Sequence, residues 1–139
     1  MLLLDNSAWS RLLAGVPGVG QEAVLQWIEE GRLGTCLPFL LEAGYSARSA
    51  SDHKELLRRL EQLPRLPVDS AVERLALDAQ RELAADGHHR IPPTDLVIAA
   101  CAHLAGGGVL HYDRDYDLIA KRTRLKYESV WLAPAGSLP

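Results

Sequence analysis

The chain has 139 residues, 47% of them apolar, and a formal net charge of −3. That length fits one domain able to bury its own core, and that composition excludes a disordered chain. No apolar run approaches the ~20 residues needed to span a bilayer, and an acidic balance excludes binding to nucleic acid by bulk basicity.

The elements follow in chain order. Leu2–Leu4 is an apolar run that meets Asp5, the pattern of a buried strand. With no basic stretch ahead of it this start is not an export signal, so Cys36 and Cys101 are expected to be reduced and buried, and the cytoplasm is the expected compartment. Ser7 is placed to cap a short helix carrying Trp9, Leu12 and Leu13, and Gln21–Glu30 repeats apolar residues on one helical face. Leu33–Leu37 reads as a second strand, followed by a helix with Pro38 in its first turn that runs to about Ala47. Ser51 opens another helix, and Arg65–Val68 is a short edge strand because Pro67 cannot serve a central one. Asp69 or Ser70 caps a long helix to about Asp86. Thr94 caps the next, Asp95–Ala105, whose nearly all-apolar surface predicts full burial. After Gly106-Gly107-Gly108 come a strand over Val109–His111, a short helix from Asp115 or Asp117 to Thr123, and a last strand over Tyr127–Leu132. Alternating strands and helices predict an α/β fold, a parallel sheet flanked by helices on both faces (α/β/α). Residues 1–132 form one domain in this reading, and 133–139 a loose C-terminal tail.

In open α/β sheets ligands bind beyond the carboxyl ends of the strands. Asp5 follows the first strand, Glu42 lies one turn into the helix leaving the second, Asp95 opens the buried helix, and Asp113 follows the strand after the glycines. All four map to one rim of one sheet, and such oxygen donors suit Mg²⁺ or Mn²⁺. Each acid also has a structural reading: a turn residue bonding its own backbone for Asp5 and Asp113, dipole compensation for Asp95, a solvated helix position for Glu42. Their coincidence carries the argument. Without the cluster, Asp115 included, the remaining chain is near neutral, which suits an acidic cation pocket.

Lys121-Arg122-Thr123-Arg124-Leu125-Lys126, Arg58-Arg59 and Arg90 are available for phosphate contacts, although the first run also reads as a solvated helix end. His53, His88, His89, His103 and His111 do not fall at zinc spacings. The glycines around Gly18 and Gly107 do not stand between a strand and a helix as a phosphate loop requires. A phospho-acceptor domain would show paired acids where Asp5-Asn6-Ser7 offers one.

Leu4-Asp5-Asn6-Ser7-Ala8-Trp9, Glu42, Ile91 to Ala100 and Leu110 to Tyr116 resemble, in order and spacing, the four signature blocks of VapC toxins, which are PIN-domain ribonucleases of VapBC toxin–antitoxin systems. The resemblance implies a PIN-like fold and hydrolysis of RNA, with transfer or ribosomal RNA as substrate. It implies that Asp5, Glu42, Asp95 and Asp113 are the catalytic, metal-binding acids, with Asp115 auxiliary and Ser7 and Arg90 in support. His111 stands where many relatives have Thr or another small residue. A catalytically inactive PIN fold that only binds RNA or protein is the alternative. The implied partners are a second copy of the chain and a VapB-like antitoxin. Trp9, Leu12 and Leu13, with apolar residues on the next helix, exceed what two short helices can bury, and exposed apolar patches mark interfaces. They are the expected antitoxin-binding residues.

Overall fold

The computed structural model describes residues 1–88 and 90–139; the zinc-spacing argument for His89 lies outside them. Five short strands, β1 (Leu2–Leu4), β2 (Leu33–Cys36), β3 (Arg65–Leu66), β4 (Gly108–His111) and β5 (Glu128–Trp131), form a sheet ordered β3-β2-β1-β4-β5. Every pairing is parallel, with Leu2 opposite both Leu33 and Gly108. Every residue of β1, β2 and β4 is buried, as continuous apolar runs in a sheet covered on both faces should be. The chain moves outward from β1 through β2 to β3, then crosses back over β1 to β4. Because such crossovers are right-handed, the outward and returning helices fall on opposite faces.

Seven helices surround the sheet among the described residues: α1 (Asn6–Leu13), α2 (Gln21–Glu29), α3 (Leu37–Tyr45), α4 (Ala50–Leu60), α5 (Ser70–Ala85), α6 (Pro93–Ala105) and α7 (Asp115–Arg122). Three caps differ from expectation. Asp5, extended at φ −106°, caps α1 by accepting the Ser7 N–H, so Ser7 lies inside the helix. Ser49 rather than Ser51 caps α4, accepting from the Asp52 N–H. Thr94 sits within α6 because Pro92 and Pro93 start it; Pro93 has no N–H to satisfy and its ring already holds a helical φ. Asp69 caps α5 as expected.

The core gathers Leu3, Leu4, Phe39, Ile98, Val109, Leu110, Tyr116 and Ile119, all fully buried. The α6 helix is buried through Leu96, Ile98, Ala99, Ala100, Cys101 and Ala102, as its composition demanded. Cys36 and Cys101 are free thiols, both buried. No helix among the described residues is long and apolar enough to cross a membrane. The tail, expected to be loose, is docked. Leu138 packs on the core, its N–H donates to Tyr112 Oη at 2.8 Å, and Arg11 Nε donates to the Pro139 carbonyl at 3.2 Å. Arg11 also lies 4.4 Å from the centre of the Tyr112 ring, so the tail closes over a cation–aromatic pair.

The glycines after α6 do more than release the chain. Gly106 takes a left-handed φ of 65° that ends the helix. At Gly107 the backbone passes so near the chain start that a Cβ would lie 2.1 Å from the Met1 carbonyl oxygen. Gly107→Ala should therefore cost about 1–3 kcal/mol, the usual range for overpacking, measured as a drop in the urea midpoint.

Candidate active site

Between β1 and β4 the strand order reverses, which opens a crevice at their carboxyl ends. Asp5 follows β1 directly and Asp113 lies just beyond β4. Glu42 projects from α3, Asp95 from the first turn of α6, and Asp115 begins α7. Asp95, Asp113 and Asp115 each bring an oxygen within 4.8 Å of the others, the spacing of ligands around one ion. The tightest group thus includes Asp115, whose expected place was auxiliary. An Asx turn explains this: Asp113 Oδ1 accepts the Asp115 N–H at 2.9 Å and folds the two carboxylates together.

Asp5 is held at both oxygens. Ser7 donates to Oδ2 through its N–H (2.9 Å) and its hydroxyl (2.5 Å), and Tyr116 Oη donates to Oδ1 at 2.6 Å. The same phenol oxygen lies 3.3 Å from Asp95 Oδ1. The Tyr112 N–H donates to Ser7 Oγ at 2.9 Å, so Ser7 ties the end of β1 to the loop after β4. Arg90 is exposed in the turn before α6.

Two oxygens stand out: Asp95 Oδ2 and Glu42 Oε2 are buried without a hydrogen-bond partner among the described residues. An unpartnered buried carboxylate oxygen is costly unless a proton or a cation meets it. Burial first, then the charges of Asp5, Asp113, Asp115 and Glu42, pushes the Asp95 carboxyl up to about 8. Burial and Asp5 raise Glu42, against a hydrogen bond from Thr94, and burial and Asp113 raise Asp115, against Arg114. Crowded, partly dehydrated, all-oxygen donors of this kind fit a hard divalent ion.

His111 has a definite place. Its ring is fully buried, and burial lowers its proton affinity. Nδ1 accepts the Asp113 N–H at 3.1 Å, which leaves the proton on Nε2, 2.7 Å from Ser129 Oγ. Ser129 in turn donates to Asp117 Oδ1 at 2.6 Å, and Trp131 Nε1 donates to Asp117 Oδ2 at 2.9 Å. A relay running from the buried His111 through Ser129 of β5 to the exposed Asp117 of α7 therefore orients the loop that carries Asp113. Sequence reasoning placed Asp117 only as a possible helix start and assigned no part in the site to Tyr116, Asp117 or Ser129, because nothing local sets them apart from core and surface residues.

The basic residues divide. Arg58 and Arg59 pair with Glu55, and Arg124 pairs with Glu82 at 2.9 Å, so these cations are engaged within the protein. Lys121, Arg122 and Lys126 are exposed and make no ion pair among the described residues. On α1 and α2, Leu13, Leu25 and Ile28 remain 56%, 59% and 41% exposed, while Trp9 is half-buried edge-on against Phe39. With Leu12, Val24 and Leu63 they line a groove of about 380 Å³.

The PIN domain profile matches residues 2–122. Ribonuclease VapC18 of Mycobacterium tuberculosis is 41% identical over 138 residues, a span covering 97% of each chain. The chain belongs to the VapC family of PIN-domain ribonucleases. Ribonuclease VapC51 of the same organism is 37% identical, covering 98% of this chain and 96% of its own. Among solved structures, VapBC-5 of M. tuberculosis, a member of the VapBC toxin–antitoxin systems, superposes with a TM-score of 0.65 at 22% identity, covering 94% of this chain and 97% of that one. VapBC2 of Rickettsia felis, bound to a DNA fragment from its promoter, gives 0.73 at 16% identity and covers 92% and 97%. These likenesses establish the VapC-type PIN fold expected from the sequence.

The raised Asp95 pKa has a definite sign for stability. A carboxyl that holds its proton more tightly in the folded state favours folding most below its unfolded pKa, and loses that contribution as pH rises through the folded value. Without metal, Asp95 should therefore destabilise the fold progressively as pH rises from about 4 to about 8. In EDTA, Asp95→Asn should melt above wild type at pH 8, and the gap should close toward pH 4. Parallel melting curves for the two proteins would contradict this assignment.

Proposed function

We infer that this protein is a metal-dependent endoribonuclease, the toxin of a toxin–antitoxin pair, with Mg²⁺ or Mn²⁺ held by Asp5, Glu42, Asp95, Asp113 and Asp115. The observation that carries this reading is the grouping of Asp95, Asp113 and Asp115 within 4.8 Å of one another, with the charges of Asp5 and Glu42 acting on Asp95 and with Asp95 Oδ2 and Glu42 Oε2 buried and unpartnered among the described residues. Family membership supports RNA as the substrate, transfer or ribosomal RNA being the leading targets. The cytoplasm is the proposed compartment.

When bound, the ion supplies Lewis acidity and neutralises charge on the scissile phosphate. Asp95, Asp113 and Asp115 would hold it as a close group, with Asp5, fixed by Ser7 and Tyr116, and Glu42 completing the set. Glu42 has a raised proton affinity and a free oxygen, which suit it to take a proton from the attacking water. Attack by water rather than by the ribose 2′-hydroxyl leaves a 5′-phosphate and a 3′-hydroxyl. Lys121, Arg122, Lys126 and Arg90 contact phosphates flanking the cut.

Asp5→Ala, Glu42→Ala, Asp95→Ala and Asp113→Ala should each reduce Mg²⁺-dependent RNA cleavage by more than about a hundredfold, since even residues behind metal ligands cost about ten- to a hundredfold. Asp115→Ala should act through the same site. Mapping 5′ ends in total RNA after brief expression, with Asp5→Ala as control, identifies the target. Undiminished cleavage in EDTA would overturn the metal reading.

The groove between α1, α2 and α4 receives a segment of a VapB-like antitoxin, with Trp9, Leu12 and Leu13 as its apolar wall. A second copy of the chain packs on the face bearing Leu37, Leu41 and Tyr45, which are 46%, 64% and 91% exposed. Light scattering should show a dimer. Trp9→Ala should weaken the antitoxin complex by about 2 kcal/mol or more, as tryptophan hot spots do, with a smaller loss in melting temperature. Equal affinity of the variant for the protein encoded beside it would remove Trp9 from the interface.

A further inference from the structure

Tyr116 is fully buried at the start of α7, a place where an aromatic ring ordinarily serves packing alone. Its hydroxyl is nevertheless directed at the acids. It donates its one hydrogen to Asp5 Oδ1 at 2.6 Å, and its oxygen lies 3.3 Å from Asp95 Oδ1. The ring has little freedom to move. The Tyr116 N–H donates to the Asp113 carbonyl at 3.2 Å, the Tyr127 hydroxyl donates to the Tyr116 carbonyl, and the His111 ring lies against it at 4.9 Å. A rigid donor thus stands between two carboxylates that come from different elements and would otherwise face each other directly. Asp5 is left with both oxygens directed, and Asp95 with Oδ1 toward the phenol and Oδ2 unpartnered.

We propose that Tyr116 is a positioning residue whose hydroxyl sets the Asp5 and Asp95 carboxylates in the arrangement that receives the divalent ion. This rests on the metal-dependent reading above and adds to it a determinant of metal affinity that is not a ligand. A phenylalanine would fill the same space and keep the His111 contact, yet leave Asp5 one donor short and nothing polar between the two acids.

The test is Mn²⁺ binding to the purified full chain by calorimetry, beside cleavage of RNA at graded Mn²⁺. Tyr116→Phe should raise the half-saturating Mn²⁺ concentration about tenfold or more in both measurements, the range seen when groups that orient metal ligands are removed. Cleavage at saturating Mn²⁺ should return close to the wild-type rate, which a collapsed core would not permit. A variant with unchanged Mn²⁺ affinity overturns the role of Tyr116 and leaves the metal reading intact. Wild-type protein that binds no Mn²⁺ overturns both. A second measurement needs no variant at this position: in wild type labelled with 3-fluorotyrosine, Mg²⁺ should shift the Tyr116 fluorine resonance, assigned by replacing the other three tyrosines. A resonance indifferent to Mg²⁺ at concentrations that saturate cleavage also overturns the proposal.

Discussion

Five carboxylates brought to one crevice repel one another, and most of the local structure around them serves to hold them there. Water would screen that repulsion, but Asp5 and Asp95 are buried, and at low dielectric like charges interact far more strongly. The fold answers with directed donors, Ser7 and Tyr116 on Asp5 and the Asp115 N–H on Asp113, while His111 Nδ1 accepts the Asp113 N–H and fixes the backbone there. It also raises the proton affinity of Asp95, whose carboxyl burial and then Asp5, Asp113, Asp115 and Glu42 push up to about 8. A divalent ion held there would compete with a proton on Asp95, which would couple metal uptake to proton release.

Two of the acids have two tasks at once. Asp5 caps α1 with the same oxygen that Ser7 fixes, and Asp113 closes the turn that starts α7. For these residues the structural and chemical readings of an acid at a strand end are not alternatives. The capping bond uses a lone pair directed at the backbone and leaves the rest of the carboxylate toward the crevice.

Much of this was legible in the sequence, and what was not has identifiable causes. Buried parallel strands are continuous apolar runs, so β1, β2 and β4 and the acids that follow them could be placed from Leu2–Leu4, Leu33–Leu37 and Val109–His111. Caps were less secure, because Asp5 and Ser7 are both good capping residues and only the backbone angle decides between them. Tyr116 was opaque because a tyrosine flanked by Asp115 and Asp117 in a short helix shows no role until its hydroxyl is seen to have partners in Asp5, just after β1, and Asp95 of α6. The His111 relay depends on Ser129 and Asp117, which only the pairing of β4 with β5 brings near. The docked tail likewise depends on Arg11 and Tyr112, which lie far from it in the chain.

The position of β1 at the centre of the sheet also orders events in time. Its partner β2 is made early, but its other edge has no strand to pair with until Gly108–His111 has been made, and the site lacks Asp113, Asp115 and the Tyr116 hydroxyl until later still. Parallel pairings between such distant residues form slowly, and a ribosome adds only ~5–20 residues each second. A nascent chain therefore carries Asp5, Glu42 and Asp95 without a working arrangement of them for most of its synthesis. The groove between α1, α2 and α4 is encoded entirely within the first half of the chain. All the residues that line it, Leu4 to Leu63, are therefore synthesised before Asp95, Asp113 and Asp115 of the crevice.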